Sequence, residues 1–350
     1  MREKSLKDIS WQVPEETYRE DPALSYSILA TYERGGFAIL ESLSERKETE
    51  ALTVGSAVDA LITGGEQEFN ERFVVAEYPD IPDTIIKIVK KCYDLFSTSY
   101  RTLDDIPADN LLNIALEFSY QNNWKPETRV KVIREKGADY YNLLFLAENK
   151  TLLNTDVYNE VLACVRSLKE SESTKQYFAA DNPFNDSTEH LYQLKFKATL
   201  NNVDYRCMAD LIIVDHDNKT IQPVDLKTSS HIEWEFYKSF IQWNYQIQAR
   251  LYWRIIRDNL DRDPYFKDFH LYNYQFVVIN KQSLLPLVWE FPDTKTVGTI
   301  LVGKSASIQL RDPEEIGKEL SHYLKDRPSV PDGIHCIGSN NLTEWLNKYE

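Results

Sequence analysis

A change of hydrophobic period near residue 185 limits how this chain can fold more than any other feature. Two runs, HLYQLKFKATL (190–200) and VDYRCMADLIIVD (203–215), alternate as strands, with the hairpin signal Asn201-Asn202 between them. A third strand, QPVDLKT (222–228), follows a turn spelled DHDNK. Centring that turn between Asp217 and Asn218 places Asp210 opposite Asp225. Side chains repeat every two residues along a strand, so Lys227 shares the face of Asp225. Directly opposed carboxylates repel and cannot both stay ionised cheaply without a counter-charge. A divalent metal supplies one, and Lys227 supplies another. Two aspartates and a lysine in this arrangement fit Mg²⁺-dependent hydrolysis, in which carboxylates hold the ion and the lysine orients water or stabilises transition-state charge.

Upstream, apolar spacing predicts helices near 23–34, 48–63, 82–100, 107–121 and 154–178, with breaks at Gly35-Gly36, Gly64-Gly65 and the Pro79–Pro82 region. Downstream, a long helix is expected over residues 234–260, then strands in LYNYQFVVIN and LLPLVWEF, then helix again towards the C-terminus. No repeat, low-complexity tract or linker divides the 350 residues, so we expect one α/β domain over 1–350. It would hold a helical portion (20–180), a core of sheet and helix (185–300) and a C-terminal helical segment (300–350). Cys92, Cys164, Cys207 and Cys336 lack metal-site spacing and read as inert thiols of a reducing, cytoplasmic compartment. MREKSLKDISW has no apolar signal region, and no stretch approaches the roughly 20 apolar residues of a membrane span, so neither export nor membrane association is expected.

On the helix after the third strand, Phe240, Trp243, Ile247, Leu251 and Ile255 form an expected buried stripe. Lys238, Gln242, Tyr245, Gln248 and Tyr252 occupy another face. Arg250, Arg254 and Arg257 give a basic edge that could approach a phosphate backbone, or could be only a solvated face.

Asp210, then Asp225-Leu226-Lys227, then Tyr245-x-x-Gln248 together resemble the PD-(D/E)XK nuclease superfamily, and within it the RecE and lambda-exonuclease type of phage exonuclease. Two weaker stretches extend the resemblance over most of residues 20–300. VGSAVDALITGGEQEFNERFVV (54–75) is similar to that group's small-residue helix and phenylalanine-bearing loop, and LSYSILATYERGG (24–36) to its opening serine-rich helix. The resemblance implies a restriction-endonuclease-like α/β fold, a central mixed sheet flanked by helices with a helical N-terminal portion. It makes Asp210 and Asp225 ligands of Mg²⁺ or Mn²⁺, with the Leu226 carbonyl completing the site and Lys227 as the catalytic lysine. Tyr245 and Gln248 become active-site helix residues, and Gln246 competes with Gln248 because WNYQIQ aligns in two registers. Position 59 departs from the pattern: Asp59 stands where such chains usually carry a histidine, and an aspartate there can be a metal ligand or a polar residue on a helix surface. Glu189 is a weaker ligand candidate against an exposed strand-end carboxylate. Ser25 and Ser27 lie where a 5′-phosphate is met in the resembling nucleases, and helix capping explains them as well. The resemblance further implies 5′-to-3′ resection of double-stranded DNA ends for phage-type recombination, a ring-shaped homo-oligomer, and a single-strand-annealing partner protein.

Rival readings are weaker. The formal charge of −15 argues against non-specific coating of nucleic acid. GTILVGKS (298–305) fits the phosphate-loop pattern, yet Thr-Ile-Leu-Val suits a packed face better than a flexible phosphate cradle. A non-catalytic DNA-end-binding or structural protein on a nuclease fold would not need Asp210, Asp225 and Lys227 intact. His190 and His231 have no Ser or Cys partner at an interpretable spacing.

Overall fold

The computed structural model describes residues 4–36, 50–77, 81–148, 150–179, 187–292, 299–302 and 306–325. Its helices are α1 (Glu15–Glu20), α2 (Tyr26–Gly35), α3 (Glu50–Thr63), α4 (Gly65–Arg72), α5 (Asp83–Phe96), α6 (Ala108–Glu117), α7 (Pro126–Leu146), α8 (Thr155–Glu170), α9 (Phe236–Gln242), α10 (Tyr245–Asp261) and α11 (Pro313–Lys325). Its strands are β1 (Phe73–Val75), β2 (Thr151–Leu153), β3 (Thr188–Leu200), β4 (Val203–Asp215), β5 (Thr220–Thr228), β6 (His270–Leu271), β7 (Tyr274–Ile279), β8 (Leu287–Phe291), β9 (Thr299–Val302) and β10 (Ala306–Gln309).

The central sheet runs β3-β4-β5-β7-β8, with β6 alongside the start of β5. It is mixed: β3, β4 and β5 are antiparallel, β7 lies parallel to β5, and β8 returns antiparallel. Asn201 and Asn202 turn β3 into β4 with φ of 49° and 63°, the left-handed pair that a two-residue hairpin needs and that Asn tolerates. The β4–β5 register runs from Leu211↔Val224 to Asp215↔Thr220. That is the pairing set by a turn centred between Asp217 and Asn218.

Strand alternation sends apolar side chains to both faces of the sheet. On one, Ile247, Leu251 and Ile255 of α10 pack with Phe196, Tyr205 and Cys207. On the other, α3 and α8 bring Val54, Val58 and Val161 against Leu211, Val224 and Val277. Helices α5, α6 and α7 close a core of their own around Ile85, Val89, Ile114 and Ile133. This α/β arrangement of helices around a mixed sheet is the restriction-endonuclease-like fold expected above.

Several elements differ from the expectations. Helix α7 went unanticipated because its buried positions include Arg129 and Gly137, which blur the apolar stripe. Gly137 lies so close to α5 that a Cβ would come within 2.5 Å of Val89 Cγ2. The expected phenylalanine-bearing loop is helix α4, with Phe69 buried against Phe73. The expected long helix over 234–260 is a 3₁₀ turn at Glu233–Glu235, then α9 and α10, parted at Trp243 and Asn244. Asn244 is left-handed (φ 55°, ψ 42°), which an α-helix cannot propagate through. Trp243 is consequently 42% exposed and leaves the buried stripe.

Residues 299–302 and 306–309 pair as an antiparallel β9–β10 hairpin where helix was expected. Thr299–Val302 is therefore followed by a strand rather than by the helix a phosphate loop requires, while Gly298, Gly303, Lys304 and Ser305 lie outside the described residues. Cys92, Cys164 and Cys207 are buried and free, and Cys336 lies outside the described residues. Among the described residues no helix is long and apolar enough to cross a membrane.

Candidate active site

The β4–β5 ladder stops at Leu211↔Val224, one step before Asp210 would meet Asp225. There the Asp210 side chain takes over from the backbone: the Leu226 N–H donates to Asp210 Oδ2 at 3.0 Å. The N–H and C=O of one strand residue point the same way, so the Leu226 carbonyl also faces the Asp210 side. Asp225 is 1% exposed, and its two oxygens meet different partners. Gln248 Nε2 of α10 donates to Oδ1, and the Lys227 ammonium forms an ion pair with Oδ2. The ring of Tyr245 lies beneath that ammonium, 4.7 Å from Nζ. Asp210, Asp225, Leu226, Lys227, Tyr245 and Gln248 are thus brought together. Of the two glutamines in WNYQIQ, Gln248 faces Asp225, whereas Gln246 accepts from Arg250 at 3.2 Å.

Burial and the neighbouring carboxylates shape the electrostatics. Asp210 keeps some access to solvent, yet burial first, then Asp225 and Asp59, push its carboxyl well above the ordinary carboxylate range. Lys227 is a contrary case: burial works against its charge, but Asp225, Tyr245 and Asp210 outweigh it and raise its pKa. It therefore stays an ammonium at neutral pH.

Asp59 reaches the site's field from α3. Gly55 makes that approach possible, since a Cβ there would lie 2.8 Å from Thr228 Oγ1 at the end of β5. Both Asp59 oxygens accept from Gln193 Nε2, at 3.0 and 3.1 Å, and Arg72 stands 4.0 Å away. Among the described residues no three acidic, histidine or cysteine side chains converge to hold a metal ion, and Asp59 and the aspartate pair feel each other's charge.

Gln193 is the site neighbour that the sequence reading missed. It interrupts β3 with φ 52°, and neither it nor Asp210, the residue opposite, joins the otherwise regular ladder. Alternation slips at this point. Leu194 and Ala209 face the same core as Leu191 and Ile212, three residues away on their own strands rather than two or four. The three-residue step from Leu191 to Leu194 is the signal that could have found it. A non-glycine residue held left-handed inside a strand is strained, and such strain collects at functional sites.

Burial first, then the carboxylates of Glu68 and Asp225, outweighs Arg72 and Gln193 and holds the Asp59 carboxyl at about 6. A carboxyl whose pKa rises on folding binds its proton more tightly in the folded state. Its contribution is full below the ordinary value of 3.8 and is lost as pH climbs through about 6. Without divalent metal, wild type should therefore lose stability relative to Asp59→Asn between pH 4 and 6.5, by on the order of 2 kcal/mol. Paired urea titrations check this, and parallel pH profiles would refute it.

The other candidates lie elsewhere. Glu189 is buried rather than exposed, and is no part of the site. It accepts from Ser5 Oγ at 2.6 Å and pairs with His216 Nε2 at 2.8 Å, clasping the N-terminal segment. Ser25 occupies the N-cap position of α2 but makes no capping bond, and its hydroxyl meets Ser27 Oγ at 2.9 Å. The chain just before α2 runs beside β4, where Leu24 pairs with Tyr205 along the stretch that β5 leaves uncovered.

The arginine edge is not a free basic surface. Arg250 is fully buried, with its guanidinium 5.5 Å from the Phe291 ring centroid. Arg254 donates to Asp312 and Glu314 at 2.8 and 2.7 Å, and Arg257 donates to the carbonyls of Phe269 and Lys267. These residues tie α10 to the chain around it. Arg254→Ala, which strands two partly buried carboxylates, should lower stability by about 3–5 kcal/mol in denaturant titration. A change below 1 kcal/mol would show that the pairs contribute little.

Fold and side chains together define a protein of the PD-(D/E)XK nuclease superfamily. The chain belongs to the family described as a PDDEXK-like domain of unknown function (DUF3799), whose model matches residues 25–285. No curated protein matches the chain. A crystal structure of a candidate exonuclease from Eubacterium rectale is similar at a distance, with 14% identity, 91% of this chain and 84% of that chain covered, and a TM-score of 0.40.

Proposed function

We propose that this protein is a Mg²⁺- or Mn²⁺-dependent deoxyribonuclease that hydrolyses phosphodiester bonds at the ends of linear double-stranded DNA. The carrying observation is the meeting of Asp210, Asp225 and Lys227 where β4 and β5 part, closed over by Tyr245 and Gln248.

The donor set fits a hard divalent cation. Asp210 and Asp225 offer carboxylate oxygens and Leu226 a carbonyl, the oxygen donors that Mg²⁺ and Mn²⁺ prefer. Gln248 Oε1 is buried without a hydrogen-bond partner, which leaves it open to a guest, while Asp225 Oδ2 is held only by the Lys227 ammonium. A cation held there would activate the attacking water and neutralise charge on the phosphate. Asp59, released from Gln193, could add a third carboxylate. The protein's own part is positional and electrostatic. Gln248 fixes the Asp225 carboxylate, Tyr245 supports the Lys227 side chain, and the Lys227 ammonium stabilises negative charge growing on the phosphate oxygens. The 5′-to-3′ direction, a role in phage-type recombination, the ring-shaped homo-oligomer and the single-strand-annealing partner belong to this proposal on the strength of the resemblance alone.

The test is incubation with linear and circular duplex DNA in Mg²⁺, Mn²⁺ or EDTA, without ATP. Loss of linear DNA alone, only with metal, is the expected result. Binding of ends without cleavage under either metal would replace the enzyme with an end-binding protein.

A further inference from the structure

Trp243 closes α9 two residues before Tyr245, the residue beneath the Lys227 ammonium. The helix break at Asn244 leaves Trp243 42% exposed. The exposed guanidinium of Arg34, near the end of α2, lies over that indole at 5.2 Å from the ring centroid. Arg34 also donates to the Trp243 carbonyl and to Thr31 Oγ1, both at 3.3 Å. Tyr26 secures the same carbonyl at 2.8 Å, with its ring 6.1 Å from that of Tyr245. The guanidinium and indole are thus held at the margin of the site by α2, whose Tyr26 ring lies near that of Tyr245, and by the break that precedes α10.

Charge and composition both mark this spot. In a chain with 55 acidic residues against 40 basic ones, Arg34 meets a ring, a carbonyl and a hydroxyl and has no carboxylate partner among the described residues. Three of the five exposed aromatic side chains among the described residues, Trp234, Tyr237 and Trp243, fall within residues 234–243, in the connection between β5 and α10. The aromatic exposure is therefore local to the connector that joins the two site-bearing elements.

An exposed indole beside a guanidinium that has no carboxylate partner among the described residues suits one kind of guest. A base inside a duplex has both faces covered by its neighbours, whereas an unpaired base offers a face for stacking, and its phosphate accepts from an arginine. We propose that Arg34 and Trp243 form a subsite for an unpaired nucleotide of the strand that enters the Asp210/Asp225/Lys227 site, Trp243 stacking the base and Arg34 meeting the phosphate. This rests on the nuclease reading above. Such a subsite captures a frayed or tailed end before a fully paired one and requires no particular base, because every base has a π-face.

The test uses linear duplex DNA with 2-aminopurine as the terminal nucleotide, either paired or in a two-nucleotide unpaired tail. In EDTA, wild type should quench the tailed probe more than the paired one, and Trp243→Ala should remove that difference. With metal, Trp243→Ala should raise KM for tailed ends about tenfold, the scale of one lost base stack, with kcat within twofold. Trp243→Phe, which keeps a stacking ring and the carbonyl used by Tyr26 and Arg34, should restore most of the KM. Arg34→Ala should also raise KM and flatten its dependence on salt. Trp243→Ala indistinguishable from wild type in quenching and KM overturns the subsite while leaving the nuclease intact. Equal losses on paired and tailed ends would make Trp243 a structural residue and also overturn it. Failure of wild type to cleave any DNA with metal sinks the nuclease reading instead, and with it the subsite.

Discussion

Replacing Lys227 by alanine is expected to slow DNA hydrolysis by about 10²–10³-fold, the usual cost of losing one preorganised donor to transition-state charge. The same change should reach stability. Asp225 is 1% exposed and relies on the Lys227 ammonium for its counter-charge. Removing one partner of a buried pair costs about 3–5 kcal/mol, so metal-free Lys227→Ala should unfold at lower urea near neutral pH, and metal should recover part of that loss. Lys227→Arg separates the two effects. An arginine keeps the positive charge, but its planar fork is not a compact ammonium, so stability should return more fully than activity. A Lys227→Ala protein that still degrades linear DNA at the wild-type rate would remove the lysine from the chemistry.

The second large effect concerns metal and Asp210. Binding of Mg²⁺ or Mn²⁺ to the folded protein alone should add about 2.7 kcal/mol of stability at a concentration a hundred times Kd, seen as a rise in Tm. Asp210→Asn should abolish that rise together with the activity. Without metal the sign reverses. Burial, Asp225 and Asp59 raise the Asp210 pKa, so its contribution is present at low pH and is lost as pH climbs above the ordinary carboxylate range. Metal-free Asp210→Asn should accordingly be more stable than wild type near pH 7 and no more stable near pH 4. An asparagine oxygen can still accept from the Leu226 N–H, so the variant keeps the bond that shapes the strand end. An equal metal-induced Tm shift in wild type and Asp210→Asn would place the cation elsewhere.

Much of the site was legible because it is built on a hairpin. Strand period and turn position are local properties, and together they bring Asp210 towards Asp225 and put Lys227 on the face of Asp225. The helical phase of Tyr245 and Gln248 was legible for the same reason, since both fall within one turn of α10. The arginines were misread because period reports which residues share a face and not what that face meets. Asp312 and Glu314, more than fifty residues away, enclose Arg254. Trp243 fell out of its stripe through a single left-handed residue, Asn244, whose conformation no hydrophobic spacing reveals.

Taken alone, the sequence determined the α/β alternation, the β4–β5 register, the Asp/Asp/Lys set and the helix that covers it, all of which follow from chemistry repeating over a few neighbouring residues. Tertiary structure decided what lies around them: the Gln193 amide that meets Asp59, the burial that lifts the Asp210 carboxyl, and the pairing of Arg34 with Trp243. These depend on packing between α2, α3, β3 and α10, which are far apart in the chain, and desolvation and Coulomb terms exist only once such elements are assembled.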